Sequence, residues 1–286
     1  MRRPTAGGAG VVGTVAPMSR GFADATAVEV ISRTEESIVL RGVVHPGWDI
    51  GGNANGGYLL AIAGRAMSEA VGRPPVTITS HYLRPAPAGP CTVEVRPVKV
   101  GRRLATATAS LAIDGTQVLQ LVGAFGEQTP GGPRDVVEHP PALPPFEDCA
   151  ARSAGAETGT RPELLNRLDV RMAPGADGFR TGRPSGAAEM AGWFALGAEE
   201  PIDVFGLLLA VDAFAPPVFN LDLPIGWVPT IELTAHVRGV PAPGPLRCAF
   251  RSRFVQDGFV DEEGVIWDSD DRLVAQSRQL SLLPRG

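Results

Sequence analysis

The sequence predicts an α+β protein of two related units, each with a curved antiparallel sheet around one long helix. Three observations support this fold class: a strand-rich segment occurs twice, one helix candidate precedes each copy, and strands and helices do not alternate in βαβ order. The chain has 286 residues, more than most single domains, and its 44% hydrophobic and 20% charged residues are ordinary for a folded protein.

The strand-rich segment runs from Thr79 to Phe125 in the first copy and from Leu233 to Leu283 in the second. Each copy begins with a strand that ends in Arg, passes through a Pro/Gly turn and continues with three strands. Tight-turn residues join the last two strands, Asp114-Gly115 in the first copy and Asp270-Asp271 in the second. The aligned turns lie about 155 residues apart, which indicates duplication of one unit.

One helix candidate precedes the strands of each copy. The first runs from about Asn55 to Val71, where apolar residues recur at helical spacing. The second runs from about Ile202 to Phe214 and begins after Pro201. Because only the first helix opens on glycines, the sequence favours one active site per chain.

The remaining segments set the expected domain boundaries. Residues 1–21 are predicted to be a disordered extension without signal-peptide character, and Met18 is a candidate start residue. Residues 129–160, rich in Pro, Gly and Ala, are predicted to link an N-terminal unit, 22–128, to a C-terminal unit, 161–286.

Composition narrows the functional classes. The net charge of -5, with acidic and basic residues interspersed, argues against nucleic acid as a partner. Three scattered cysteines without Cys-x-x-Cys spacing suggest neither disulfides nor a zinc site, and they fit the cytoplasm. The longest apolar stretch, Val204 to Val218, is interrupted by Asp212 and two prolines and is too short to span a bilayer. We therefore expect no metal and no membrane association.

Four runs carry a resemblance to a known family: HPGWDIGGNANGGYLLAIAGRAM, TSHYLRPAPAGP, PTIELTAHVRG and LVAQSRQ. Together they resemble the TesB-like (type II) acyl-CoA thioesterases, which have a double-hotdog fold, and the resemblance extends from about Phe22 to Leu283. It implies hydrolysis of an acyl-CoA to a free acid and coenzyme A in fatty acid metabolism. Coenzyme A is then part of the substrate, no separate cofactor is expected, and exposed sheet edges favour a homo-oligomer.

The resemblance also implies a catalytic set in the second unit, an Asp, a Thr or Ser, and a Gln that together activate water. The matching position for the Asp is Glu232, a carboxylate one methylene longer, and the Gln matches Gln279. The hydroxyl position falls at about Arg251, with Ser252 adjacent. Arg251 departs from the family pattern, so a lower or redirected activity is one reading.

Glycines open the first helix at Gly51, Gly52, Gly56 and Gly57. Free backbone N–H groups at a helix N-terminus can receive a thioester carbonyl, and Gly57 is the chosen donor. The alternative is that these glycines allow only a tight loop and close packing of the helix.

Four further residues are candidates for substrate binding. Asn53 and Asn55 could orient the substrate, although Asn55 also suits an N-cap. Trp48 could cover the acyl or pantetheine channel or simply pack in its loop, and His81 could contact substrate or act as a structural donor.

Two alternatives to the thioesterase stay open. A noncatalytic acyl-CoA-binding protein is motivated by Arg251 at the hydroxyl position, and a hotdog-fold enoyl-CoA hydratase would use the same scaffold. A serine hydrolase is disfavoured because no Gly-x-Ser-x-Gly run occurs, and the glycines lack the spacing of a dinucleotide-binding fingerprint.

Overall fold

The computed structural model describes residues 21–128, 138–152, 162–223 and 226–283. The predicted N-terminal extension, with Met18, and much of the predicted linker lie outside the described residues. Within the described ranges, no helix is long and apolar enough to cross a membrane.

Three α-helices, sixteen strands and five short 3₁₀-helices make up the regular structure of the described chain. The helices are α1 (Phe22–Ala25), α2 (Gly56–Val71) and α3 (Val204–Ala210). The strands of the first half are β1 (Glu29–Arg33), β2 (Ile38–Val44), β3 (Asp49–Ile50), β4 (Asn53–Ala54), β5 (Pro75–Tyr82), β6 (Gly89–Val100), β7 (Ala105–Ile113) and β8 (Thr116–Phe125). Those of the second half are β9 (Ala150–Ala151), β10 (Leu168–Met172), β11 (Glu189–Leu196), β12 (Thr230–Val237), β13 (Leu246–Arg251), β14 (Val255–Gln256), β15 (Phe259–Trp267) and β16 (Leu273–Leu282).

Fourteen of the strands form one antiparallel sheet, in the order β1-β2-β6-β7-β8-β5-β12-β16-β15-β13-β11-β10-β9, with β14 paired to β15. The first half therefore reads β1-β2-β6-β7-β8-β5 from its edge to the centre. The second half reads β10-β11-β13-β15-β16-β12 in the same direction, which is the same topology repeated. The duplication and the tandem α+β fold predicted from the sequence are confirmed.

The two halves join where β5 pairs with β12. Thr79 lies opposite Thr234 in this pairing, and their hydroxyls are hydrogen-bonded at 2.8 Å. These two residues are 155 positions apart, which is the spacing of the sequence repeat. The repeat offset thus corresponds to an approximate internal twofold axis through the centre of the sheet.

The long helix α2 lies in the core of the first half, as predicted. Asn55 is its N-cap and accepts a hydrogen bond from the Tyr58 N–H at 2.9 Å, while Gly72 ends it at a φ of 67°. A Cβ on Gly64 would lie 2.7 Å from Leu208 Cδ1, so glycine allows α2 and α3 to pack closely.

The second helix is shorter than the predicted span of Ile202 to Phe214. Asp203 caps α3 by accepting hydrogen bonds from the N–H groups of Phe205 and Gly206, at 2.9 and 2.8 Å. The helix ends at Ala210 with Val211 as its C-cap, and the chain continues as a turn through Asp212. The prediction was wrong at both ends, and the chain after Ala210 is free to turn toward α2.

Part of the predicted linker adds to the second unit. Strand β9 pairs with β10 at the edge of the sheet. Phe146 packs edge-on against Trp193 with ring centroids 6.2 Å apart, and the Trp193 indole N–H donates to the Pro144 carbonyl at 3.0 Å.

Candidate active site

A cavity of about 380 Å³ lies where the N-terminus of α2 meets the chain that follows α3 and the ends of β12, β15 and β16. Its polar lining includes Asn55, Tyr82, Asp212, Thr230, Glu262 and Gln279. Its apolar lining includes Ile50, Leu59, Leu164, Phe214, Phe219 and Trp227. A cluster of polar groups beside a largely apolar wall is typical of a site that binds a small organic substrate.

Asp212 projects from the turn after α3 onto the start of α2. Its Oδ2 accepts hydrogen bonds from the Gly57 N–H at 2.8 Å and from the Asn55 side-chain amide at 3.0 Å. The same Asn55 amide donates to the Asp212 carbonyl at 2.8 Å. Because a helix N-terminus stabilises negative charge, this geometry favours the carboxylate form.

Two opposing effects set the pKa of Asp212. Burial raises the pKa of Asp212 from 3.8 to about 6, while the Gly57 N–H and the Asn55 amide act to lower it. Asp212 is therefore mostly ionised at neutral pH but close enough to its pKa to accept a proton readily, as a general base requires.

Two glycines make this approach sterically feasible. A Cβ on Gly57 would lie 2.8 Å from the Leu208 carbonyl oxygen, and a Cβ on Gly56 would lie 2.9 Å from Asp212 Oδ2. The Gly57 N–H, predicted to receive a thioester carbonyl, is instead bonded to Asp212. The packing alternative for these glycines is thus the one that the geometry favours.

The other two glycines of the run belong to a separate feature. Gly51 and Gly52 have φ values of 61° and 84° and form the turn of the β3–β4 hairpin. This left-handed pair is typical of a tight hairpin and explains why glycine stands at both positions.

Tyr82 closes the other side of the α2 N-terminus. Its side chain shares the inner face of β5 with the buried residues Ile78 and Ser80, and its hydroxyl donates to the Gly56 carbonyl at 2.9 Å. Burial, with the Asp212 charge added, raises the pKa of Tyr82 above its usual range. Tyr82 therefore stays neutral and can act only as a hydrogen-bonding group.

Gln279, predicted as a catalytic residue, does line the cavity. Its Nε2 donates to the Ser281 hydroxyl at 3.3 Å, which leaves the second amide hydrogen for a ligand. Its Oε1 is buried and has no hydrogen-bond partner among the residues that the structure describes. Thr230, at the start of β12 opposite Ser281, brings a hydroxyl to the same cavity, because a register shift between Thr230 and Glu232 interrupts the alternation of side chains along β12.

Glu262 is a second carboxyl of the cavity, directly across from Gln279 in the β15–β16 pairing. Only 9% of the residue is exposed. Burial raises the pKa of Glu262 well above its usual value, and the charges of Asp212 and Asp261 raise it further.

Glu232, predicted as the catalytic carboxylate, lies on the opposite face of the sheet. Its neighbour Leu233 is fully buried on the inner face, and side chains alternate along a strand, so Glu232 faces outward. There it accepts a hydrogen bond from the Thr234 hydroxyl at 2.5 Å. Within the described chain, the cavity lining does not include Glu232.

Arg251 and Ser252 also lie outside the lining of this cavity, as far as the described chain defines it. Arg251, at the end of β13, pairs with Glu263 at 3.2 Å and is partly exposed. The Ser252 hydroxyl is buried and lacks a hydrogen-bond partner among the described residues. The structure thus brings together Gln279 and the α2 start, but not the other three predicted catalytic residues.

The predicted binding residues divide in the same way. Asn53, Asn55 and Gly56 line the cavity, and Asn55 combines the predicted cap with a direct hold on Asp212. Trp48 is buried in a stack with Tyr58 at 5.1 Å, so it packs in its loop. His81 is exposed on the outer face opposite Glu232.

Sequence reasoning missed Asp212, Thr230 and Glu262. Asp212 had a signal, because it is the one charged residue in the apolar stretch from Val204 to Val218, and a carboxylate in such surroundings is rarely incidental. Thr230 stands two residues before Glu232 in the same motif. Glu262 is hidden within three consecutive acidic residues that read as an exposed run.

The described residues contain no group of three or more His, Cys, Asp or Glu side chains that could hold a metal ion. Cys91, Cys149 and Cys248 are all buried as free thiols.

Comparison with known families now defines the class of protein. The acyl-CoA thioesterase N-terminal domain matches residues 44–126, and the acyl-CoA thioesterase C-terminal domain matches residues 142–283. The chain belongs to the acyl-CoA thioesterase family, as the resemblance suggested, and is a thioester-hydrolysing enzyme.

Individual relatives are similar to this chain in sequence or in fold. A protein of Thermobifida fusca described as a thioesterase II is 33% identical, with 94% of this chain and 99% of that chain covered and a TM-score of 0.83. A hotdog-fold protein of Alicyclobacillus acidocaldarius shares the fold at 23% identity, covering 93% and 98% of the two chains with a TM-score of 0.76. An uncharacterized protein of Mycobacterium tuberculosis is 27% identical over 270 residues, which cover 86% of this chain and 91% of the relative.

Proposed function

We propose that the enzyme hydrolyses acyl-CoA in the cavity at the α2 N-terminus, with Asp212 as the base that activates water. The observation that carries this proposal is the Asp212 carboxylate itself, hydrogen-bonded to Gly57 and Asn55 and exposed to a mostly apolar cavity. Its pKa of about 6 suits proton transfer from water at neutral pH.

Gln279 and Thr230 supply the other two polar functions. The resemblance implies an Asp, a hydroxyl residue and a Gln in the second unit, and Asp212, Thr230 and Gln279 are those residue types in one cavity. Asp212 thereby replaces Glu232 as the proposed carboxylate, and Thr230 replaces Arg251 and Ser252 as the proposed hydroxyl. In this account the two side chains orient the attacking water, and the free Gln279 amide hydrogen is available to the developing oxyanion.

The rest of the cavity would bind the acyl chain. The walls at Leu59, Leu164, Phe214 and Phe219 are apolar, and burial of acyl methylenes against them contributes about 0.8 kcal/mol per CH₂ group. Trp227 is about half exposed beside the cavity, where it can cover a bound chain.

A free-thiol release assay tests the proposal. Wild-type protein is expected to release coenzyme A from at least one of a short, a medium, a long and an aromatic acyl-CoA. Asp212→Asn should bind the same substrate without turning it over, and Gln279→Ala should slow turnover. Binding without release by the wild type would instead support a noncatalytic acyl-CoA-binding protein.

Several further properties stay proposals. A cytoplasmic location, a role in fatty acid metabolism and a homo-oligomeric state follow from the composition and the resemblance. The unit boundaries at 22–128 and 161–286 also stay proposals.

A further inference from the structure

Two carboxyl groups line the same cavity but have different surroundings. Asp212 is held by a backbone N–H and a side-chain amide, both of which favour the ionised form. Glu262 has no hydrogen-bond partner among the described residues, and it faces the negative charge of Asp212. When the environments of two carboxyls differ in this way, one is kept as a base and the other as an acid.

We propose that Glu262 is a second catalytic carboxyl, a general acid that protonates the sulfur of the leaving coenzyme A. This inference rests on the proposed thioesterase function and extends it. Glu262 lies across from Gln279 on the inner face of the sheet, so the acid and the proposed oxyanion donor approach a bound thioester from the same side.

The proton balance of the reaction is closed by the two carboxyls. Asp212 takes a proton from water as the water oxygen bonds to the thioester carbon and the C=O electron pair moves to oxygen. Collapse of this intermediate restores the C=O bond and breaks the C–S bond, and the sulfur takes the Glu262 proton. The proton held by Asp212 then returns to Glu262 through solvent in the cavity, which leaves free acid and thiol.

The groups around Glu262 favour the protonated state that this role needs. Asp212, beyond α3, and Asp261, on the same strand, are the charged groups that act on it, and both are acidic. The facing strand β16 presents the uncharged Gln279 and Ser281. Burial of a carboxyl without a cation partner likewise disfavours ionisation.

The leaving group provides a direct test, since an arenethiolate departs without protonation whereas an alkanethiolate benefits from it. The test compares the turnover of an acyl-CoA with that of the S-phenyl thioester of the same acid. Glu262→Gln should lower kcat for the acyl-CoA by roughly 100-fold and leave the phenyl thioester nearly unchanged. Glu263→Gln is the matched control, because Glu263 pairs with Arg251 and Arg253 away from the cavity, and neither rate should change.

The outcomes separate this inference from the thioesterase proposal. An equal loss on both substrates would indicate a structural role and overturn the inference, as would an unchanged acyl-CoA rate. Wild-type protein that releases no thiol would overturn the proposed function and the inference together.

A second measurement needs only the wild-type protein. A general acid must be protonated, so acyl-CoA turnover should fall at alkaline pH as Glu262 ionises, and turnover of the phenyl thioester should not. If turnover of both substrates fell at alkaline pH, the role of Glu262 would be contradicted. This result does not depend on whether the Glu262 variants fold.

Discussion

The N-termini of α2 and α3 are related by the internal twofold axis but differ in their charges. At the start of α2, the capping residue Asn55 meets the Asp212 carboxylate from the α3 side. At the start of α3, the capping residue Asp203 meets the Arg65 guanidinium from the α2 side, at 3.0 Å. Arg65 also donates to the Thr26 hydroxyl at 3.1 Å.

This difference shows how a duplicated fold has specialised its two helix junctions. The Asp203–Arg65 ion pair neutralises its charges, and the Arg65 guanidinium stacks on Phe205 at 4.2 Å. Arg65, Val204 and Phe205 also line a second cavity, of about 580 Å³, but the carboxylate at this junction is paired with a cation. Asp212 forms no ion pair in the described part of the chain and opens onto a cavity. A carboxylate held by dipoles rather than by a cation keeps its basicity, which is what catalysis requires.

The largest expected effect comes from removing the charge at the α2 junction, the contact of Asp212 with Asn55 and Gly57 at the N-terminus of α2. Asp212→Asn keeps the shape and the hydrogen-bond acceptor for Gly57 but cannot accept a proton, so kcat should fall by about 10² to 10⁴. Steady-state thiol release measures this loss. A variant that retains more than a third of the wild-type kcat would exclude Asp212 as the base.

The same variant should not lose stability. The pKa of Asp212 is raised to about 6 in the folded state, so the folded protein binds more protons than the unfolded chain between about pH 4 and 6. The contribution of Asp212 to stability therefore falls as the pH rises through that window, by up to about 3 kcal/mol. Thermal melts should show that Asp212→Asn is at least as stable as wild type at pH 7, and a marked drop in Tm would contradict this.

The pH dependence of turnover should also reflect the ionisation of Asp212. Asp212 must be ionised to act as a base, so kcat/KM should decline below about pH 6. A pH–rate profile from about 4.5 to about 8, a range that brackets this pKa, measures the decline. A flat profile across this range would indicate that another group activates the water.

Closing the α2 junction sterically should act on both stability and activity. A Cβ at position 57 would lie 2.8 and 2.9 Å from the carbonyl oxygens of Leu208 and Leu209, so Gly57→Ala should cost about 1 to 3 kcal/mol and displace Asp212. Gly239→Ala is the control, because its Cβ would meet only Gln128 Oε1, at 3.5 Å, among the residues that the structure describes. Urea unfolding and thiol release should both separate the two variants, and equal behaviour would refute the packing argument.

Breaking the α3 junction, the contact of Arg65 with Asp203 at the N-terminus of α3, should affect stability alone. Arg65→Met removes a partly buried ion pair and the contact with Phe205, which together should cost about 1 kcal/mol. The kcat should stay within about twofold of the wild-type value, because the ion pair lies away from the proposed site. A large loss of kcat with normal folding would mean that the two junctions are not independent.

The smallest effect is expected at Glu232. Its side chain lies on the outer face and bonds to Thr234, so Glu232→Gln should leave kcat nearly unchanged and alter stability by less than about 1 kcal/mol. Thiol release and a thermal melt on this variant provide the measurement. Strong inactivation would restore the sequence-based assignment over Asp212.

The fold was accessible from the sequence because its signals are local or repeated. The spacing of apolar residues predicted α2, and Asp114-Gly115 predicted a hairpin turn, which the φ values of 48° and 74° confirm. Gln279 was selected by the resemblance, at the position of the family glutamine, and its side chain lines the cavity.

The proposed catalytic carboxylate was not accessible in the same way. Asp212 reaches the α2 N-terminus only because α3 ends early and the following chain turns back, and that junction depends on contacts between residues 157 positions apart. Motif alignment instead selected Glu232, whose side chain lies on the outer face of the sheet. A reading of alternation along β15 would have placed Glu262 with the buried Ile266 on the inner face.

The central claim is that each chain has one site, at the α2 junction and not at the α3 junction. Calorimetric titration of Asp212→Asn protein with an intact acyl-CoA tests it most directly, because the inactive variant binds true substrate without consuming it. We predict a stoichiometry of one acyl-CoA per chain, unchanged by the additional substitution Arg65→Met. A stoichiometry of two, or the loss of binding on Arg65→Met in a folded protein, would contradict the claim.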